Sequence, residues 1–193
     1  MTSRLTPVTY DAASPEQKEV WDAILASRGD PARLIGPDGS LVGPFNHMVT
    51  SPGLGRRMSA MGHAVRFEGS VDSRLLELAI CTVGAHWRSN FEFWAHSRLG
   101  VQAGLDQSVM DALAEGREPT FERDDERAIH AFASQLVSTG RVDEDRYAAA
   151  REVLGEQGLV DLVTTIGYYS LVSLILNAHS VPLPGDQAPF WDR

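Results

Sequence analysis

Apolar residues recur along this chain at intervals of three and four, and no segment alternates apolar and polar residues in the manner of a half-buried strand. Helices are therefore expected throughout. Ser14-Pro15-Glu16-Gln17 combines a capping serine, a proline at the first helical position and a glutamine able to close a capping box, which predicts a helix over Pro15 to Ser27. The Gly/Pro-rich stretch from Gly29-Asp30-Pro31 through Gly36-Pro37-Asp38-Gly39 to Gly43-Pro44-Phe45 reads as a long loop. Ser51-Pro52 repeats the start signal, and Leu54, Met58, Met61 and Val65 then share a stripe up to about Phe67.

The run Asp72 to Ala85 carries Leu75, Leu76, Leu78, Ala79, Ile80 and Val83 so densely that this helix must be nearly surrounded by protein. Arg88 to Ala103 forms the next helix, closed by Gly104, and Asp106 caps a short one through Ala114. Asp124 to Ser138 presents Ile129, Phe132, Ala133 and Leu136 on one stripe, Asp143 to Leu154 is a more polar helix ended by Gly155, and Gly158 to about Asn177 is the last long helix. Pro182 and Pro184 are expected to end the ordered part. The mixed charges of Glu122-Arg123-Asp124-Asp125-Glu126-Arg127 read as a solvated helix start.

This pattern predicts an all-α fold, a compact multi-helix bundle forming one domain over residues 1–193, with residues 1–45 contributing a helix plus the loop and 71–105 a helix pair. The balance of 17 Lys+Arg against 26 Asp+Glu gives a net charge of −9 with no basic cluster, which argues against nucleic acid as a partner. The stretch Tyr168 to Ala178 is interrupted by Ser170, Ser173 and Asn177, and is too short for a bilayer span of roughly 20 residues; it reads as a core helix, with Tyr168 and Tyr169 as core residues. The start of the chain has no apolar secretory segment, so a cytoplasmic location is expected. A lone cysteine, Cys81, excludes both an internal disulfide and a Cys-x-x-Cys redox or zinc site.

Within Arg88 to Ala103, Ser89, Glu92 and His96 fall at i, i+3 and i+7 on one face, opposite Phe91, Trp94, Ala95 and Leu99. The polar face is either exposed to solvent or turned to a pocket or partner. Glu77 is conspicuous in its apolar helix, because a carboxylate there needs a partner. Arg74, one turn before it, either supplies that partner or binds a substrate carboxylate in bidentate fashion. Glu77, Glu92 and His96 together also offer oxygen and nitrogen donors to a divalent ion, although no His-x-x-x-His pair accompanies them, and no metal is expected.

Arg74-x-x-Glu77 followed by Ser89-x-x-Glu92-x-x-x-His96 resembles the pattern of the carboxymuconolactone decarboxylase and alkylhydroperoxidase D-like family. Gly43-Pro44-Phe45-Asn46, Ser51-Pro52, Phe91-Glu92-Phe93-Trp94-Ala95-His96, Ala103-Gly104-Leu105 and Gly167-Tyr168-Tyr169 extend the resemblance over most of Pro15 to Pro184. The peroxidase branch of that family carries two cysteines where this chain has Ser89 and Glu92. A thiol cycle needs a nucleophilic thiolate and a resolving partner, so thiol peroxidase chemistry is not expected. Cys81 itself reads as a buried, inert thiol, the residual thiol enzyme being the alternative.

The resemblance implies a cofactor-free lyase of the decarboxylase type acting on a small carboxylated lactone or related organic acid. Loss of CO₂ leaves an electron-rich dienolate that must be stabilised and then protonated on carbon. His96 is the expected proton carrier, since its ordinary pKa of ~6.5 suits exchange near neutrality. Glu92 sets its tautomer, and Glu77 relays a second proton if burial raises its pKa. Arg74, Ser89, His63 and His47 are the expected substrate-binding residues. The resemblance also implies a homo-oligomer, a trimer or hexamer. The rival reading is a non-catalytic helical oligomer that binds a small molecule or a protein.

Overall fold

A computed structural model describes residues 3–192, in which the extended elements are helices; Met1, Thr2 and Arg193, at the ends of the expected domain, lie outside the described residues. The helices are α1 (Pro15–Arg28), α2 (Pro31–Leu34), α3 (Phe45–Thr50), α4 (Pro52–Phe67), α5 (Ser73–His86), α6 (Asn90–Gln102), α7 (Gln107–Ala114), α8 (Asp124–Thr139) and α9 (Glu144–Ala178). They sort into two compact units. Residues 3–68 with Ile175–Ala188 form one, and Gly69–Leu174 with residues 189–192 the other.

In the first unit the expected capping box at Ser14 and Gln17 is formed in both directions and starts α1. Ser51, by contrast, makes no side-chain cap, so Pro52 alone provides the start signal of α4. The expected long loop is more ordered than its glycines and prolines suggest. It contains the single turn α2, and isolated bridges pair Thr9 with Ser40 and Ile35 with Leu41. Leu41 is thereby buried beside Val20, Trp21, Ile24, Met48 and Val49.

Helices α3 and α4 meet where Gly55 lies against the backbone of Met48. A Cβ at Gly55 would sit 1.9 Å from the Met48 carbonyl oxygen and 2.5 Å from its carbon, neither of which can swing aside. Gly55→Ala is therefore expected to destabilise the protein by about 1–3 kcal/mol through overpacking, read as a lower denaturation midpoint with an unchanged denaturant slope.

The second unit is built around α5, whose residues Leu75 to Gly84 are all buried. Helix α8 packs along it with two polar contacts. Near one end Arg74 reaches Asp125 and Glu126; near the other, the Thr82 hydroxyl donates to the Leu78 carbonyl and lies 3.1 Å from His130 Nδ1. The charged run at the start of α8 is thus not simply solvated, because Glu126 is only 5% exposed. Its burial follows from the guanidinium that α5 turns toward it.

Gly155 interrupts α9 with φ 68° and ψ −176°, the break expected between its polar first part and its apolar second part. The apolar part contains an 18-residue window of mean hydropathy 1.7, half of it buried, which by length and composition alone would suffice to cross a membrane. Leu159, Leu162, Ile166, Tyr169 and Val172 are buried, whereas Val160, Val163, Leu171 and Leu174 are exposed. The chain does not lose order at Pro182 and Pro184 as expected. Phe190 and Trp191 pack against Phe93, and the Trp191 indole donates to the Ala114 carbonyl at 2.8 Å.

Candidate active site

The turn from α5 to α6 determines which residues of α6 face inward. Trp87, Arg88 and Ser89 donate their backbone N–H groups to the carbonyls of Val83, Ala85 and Gly84, closing the end of α5. Arg88, expected inside the helix, is instead the left-handed turn residue, with φ 47°; Ser89 occupies the cap position and α6 starts at Asn90.

Two glycines let α6 lie close to α5. A Cβ at Gly84 would be 3.4 Å from the Phe93 nitrogen, and one at Gly100 would be 2.9 Å from Leu105 Cδ1 and 3.6 Å from Glu77 Cβ. The approach at Gly100 is made directly against Glu77. Small residues at both contacts bring His96, which lies between them on α6, within bonding range of that carboxylate.

The result is a buried array of three groups. His96 Nδ1 lies 2.6 Å from Glu77 Oε2, and His96 Nε2 lies 3.0 Å from Glu92 Oε1. Glu92 and His96 are one turn apart on α6, while Glu77 comes from α5. All three are buried, so the polar stripe of α6 is its inner face. Phe91, Trp94 and Ala95 are only half-buried and Leu99 is exposed, the reverse of what their apolarity suggests.

Burial by itself drives the His96 imidazole toward its neutral form. The charges of Glu77 and Glu92, and their hydrogen bonds, outweigh it and push the pKa up to about 9. His96 is therefore an imidazolium at neutral pH that donates from both ring nitrogens, rather than a group poised near its ordinary value. Glu92 sits in the first turn of α6, where the helix dipole favours a carboxylate. Tyr169, read from sequence as core, also meets the array: its ring stands edge-to-face with His96 at a centroid distance of 4.9 Å.

Ser89 is fully buried, and its hydroxyl has no hydrogen-bond partner in the protein, an uncommon state for a polar group in such a position. Cys81 is likewise fully buried, and burial, with Glu77 and Glu92 adding to it, pushes its thiol pKa up. Both influences disfavour the thiolate that a thiol enzyme needs.

Arg74 does not take the first of the roles expected for it, the pairing with Glu77. Its guanidinium lies 2.7 Å from Asp125 and is also paired with Glu126, so its partners are the α8 carboxylates. His47 and His63 belong to the first unit. The His47 ring pairs with His179 at 4.7 Å, and burial together with the His179 charge lowers its pKa to about 4. His63 packs against Phe67, has Nε2 3.7 Å from Glu68, and lines a cleft of about 330 Å³ with Val20, Ala23, Ser27, Arg56 and Ser59. Among the described residues, no cluster of three or more His, Cys, Asp or Glu side chains has an arrangement that would hold a metal ion.

Sequence reasoning missed Asn90, Gly84 and Gly100. Spacing could have pointed to the glycines, since two small residues on facing helices mark a close crossing. Asn90, whose side-chain amide accepts from the backbone N–H groups of Phe190 and Trp191 and donates to the Trp191 carbonyl, carried no signal, because those partners lie a hundred residues away.

No family model and no curated protein matches the chain. Solved structures do. An alkylhydroperoxidase AhpD core from Ralstonia eutropha JMP134, an uncharacterized peroxidase-related protein, is similar with a TM-score of 0.75 and 16% identity, covering 96% of this chain and 94% of that one. The debrominase Bmp8, solved in complex with 2,3,4-tribromopyrrole, is similar with a TM-score of 0.71 and 15% identity over 95% and 92% of the two chains. A protein of unknown function from Agrobacterium tumefaciens gives a TM-score of 0.65 and 17% identity over 73% of this chain and 97% of its own. At these identities the likeness is one of fold, and the all-helical AhpD-like fold implied by the motif is the one observed.

Proposed function

We propose that this chain, built on the AhpD-like helical fold, is a cofactor-independent proton-transfer enzyme, a decarboxylase-like lyase acting on a small carboxylated lactone or related organic acid. The observation that carries the reading is His96 buried between the carboxylates of Glu77 and Glu92, at 2.6 and 3.0 Å, which favour its protonated form. Such a group is a proton donor in a site largely closed to water.

In the proposed reaction the bond from carbon to the carboxylate breaks and CO₂ leaves. The electron pair stays on the substrate as a dienolate, and His96 delivers its proton to carbon. Glu77 and Glu92 stabilise the imidazolium beforehand and orient the ring, and solvent returns the proton afterwards. The Ser89 hydroxyl is a hydrogen-bond group free to meet the substrate. A thiol mechanism is disfavoured because the single cysteine is buried with a raised pKa and has no resolving partner. The test is release of CO₂ from a panel of carboxylated γ-lactones. Turnover by the wild type is expected, and its absence across the panel leaves the non-catalytic binding protein as the better account.

The same reading includes self-association, and the exposed face of α9 supports it. Val160, Val163, Leu171 and Leu174 lie along this face, with Gly167 between them opening onto free space. No charged side chain interrupts that row. The protein is expected to run as an oligomer in light scattering, and Val160→Glu with Leu171→Glu is expected to reduce it to monomer; a wild type that is monomeric at micromolar concentration would refute this assembly.

A further inference from the structure

His63, expected from sequence to bind substrate, lies in the first unit, in the cleft of about 330 Å³ that α1 and α4 line. Each wall is two helical turns long. Val20, Ala23 and Ser27 follow one another at i, i+3 and i+7 on α1, and Arg56, Ala60 and His63 at i, i+4 and i+7 on α4. Ala23 and Ala60 stand midway. With no side chain beyond Cβ, they leave the space between the helices open to a flat, apolar ring, and the volume is that of a small-molecule site.

The polar groups of the cleft are sorted by charge. At one end Arg56 supplies a guanidinium. Its Nη2 lies 2.7 Å from Glu19, but both side chains are more than half exposed, so the pair is weak and the remaining N–H groups are available to a ligand anion. Midway, Ser59 lines the cleft and is only 6% exposed, and among the described residues its hydroxyl has no hydrogen-bond partner. The Ser27 hydroxyl on the facing wall, by contrast, turns back to the Ile24 carbonyl. At the other end the Glu68 carboxylate accepts only, and His63 Nε2 lies 3.7 Å from it, beyond hydrogen-bond range. That end repels a second anion and suits a hydroxyl, which donates to the carboxylate and serves either tautomer of the imidazole. Arg56 and His63 start about 10 Å apart along α4, so the ligand is elongated.

We propose that this cleft binds a small aromatic carboxylic acid bearing a hydroxyl at its far end. The carboxylate lies on Arg56 and Ser59, the ring between Ala23 and Ala60, and the hydroxyl at His63 and Glu68. The site uses none of Glu77, Glu92 and His96, so it does not depend on the lyase reading. The probe is 4-hydroxycinnamate, titrated into the full chain by calorimetry and followed in proton–nitrogen correlation spectra. Saturable binding with a Kd on the order of 100 µM is expected, with the shifted amides gathered on α1 and α4. Ala60 is exposed, so Ala60→Trp fills the cleft without entering the core. It is expected to weaken binding by about tenfold or more while the cooperative melt is kept. Arg56→Gln is expected to weaken the acid by about tenfold and to leave its uncharged methyl ester within about twofold. Absence of saturable binding at millimolar probe overturns the proposal. So does binding that Ala60→Trp leaves unchanged, or equal loss of acid and ester in Arg56→Gln. Shifts centred on α5 and α6 would place the acid at Glu77, Glu92 and His96 and overturn it as well.

Discussion

His96→Gln is expected to lower turnover in the decarboxylation assay by about 10²–10⁴, the usual contribution of a positioned proton donor. Glutamine keeps the approximate size and can still donate to one carboxylate, but it carries no transferable proton near neutral pH. The substitution also leaves two buried carboxylates without the cation between them, at an expected cost of about 3–5 kcal/mol. A variant that turns over like the wild type would remove His96 from its proposed role.

The same residue imposes a pH dependence on stability. Its folded pKa of about 9 lies above the ordinary unfolded value of ~6.5, so the stabilisation is complete below ~6.5 and is lost as pH rises through about 9. The melting temperature of the wild type is expected to fall as pH rises between those limits. His96→Gln should lose that component of the dependence, and an identical pH profile in the two proteins would refute the ion-paired imidazolium.

Arg74→Met is expected to destabilise the protein by about 3 kcal/mol, because it strands the buried Glu126 carboxylate. The value is set at the lower end because Arg123 also reaches Asp125, at 3.1 Å, and Glu126, at 3.8 Å. Arg74→Met with Glu126→Leu should recover most of the loss, since an apolar pair replaces a buried ionic one. Urea denaturation at pH 7 measures both.

The acid side offers a second check. Arg123, and behind it Arg74, hold the Asp125 carboxyl well below the usual carboxylate range against the effect of burial. That stabilisation is present above the unfolded value of ~3.9 and is lost as pH falls toward the depressed folded value, and the loss should be smaller in Arg74→Met. If Arg74 served substrate instead, the variant would keep its stability and raise KM.

Much of the fold was legible because helix starts and stops are local chemistry. The capping box at Ser14, the Asp106 cap and the break at Gly155 each involve residues within a few positions of one another, and each is found where the sequence places it. The helical spacing of Glu92 and His96 likewise guaranteed that they share a face. Their partnership with Glu77 entered through a family resemblance, since no rule of spacing links two helices across a turn.

Residue order alone thus specifies the helical content, the shared face of Glu92 and His96, and the lack of a thiol pair. Helix packing decides which face of α6 turns inward, that Arg74 is held by Asp125 and Glu126, that His96 lies between two carboxylates, and that Asn90 clasps Phe190 and Trp191. The physical reason is common to all four. Burial and Coulomb interactions depend on distances between segments far apart in the chain, and those distances are set by how closely helices cross, here at Gly84 and Gly100.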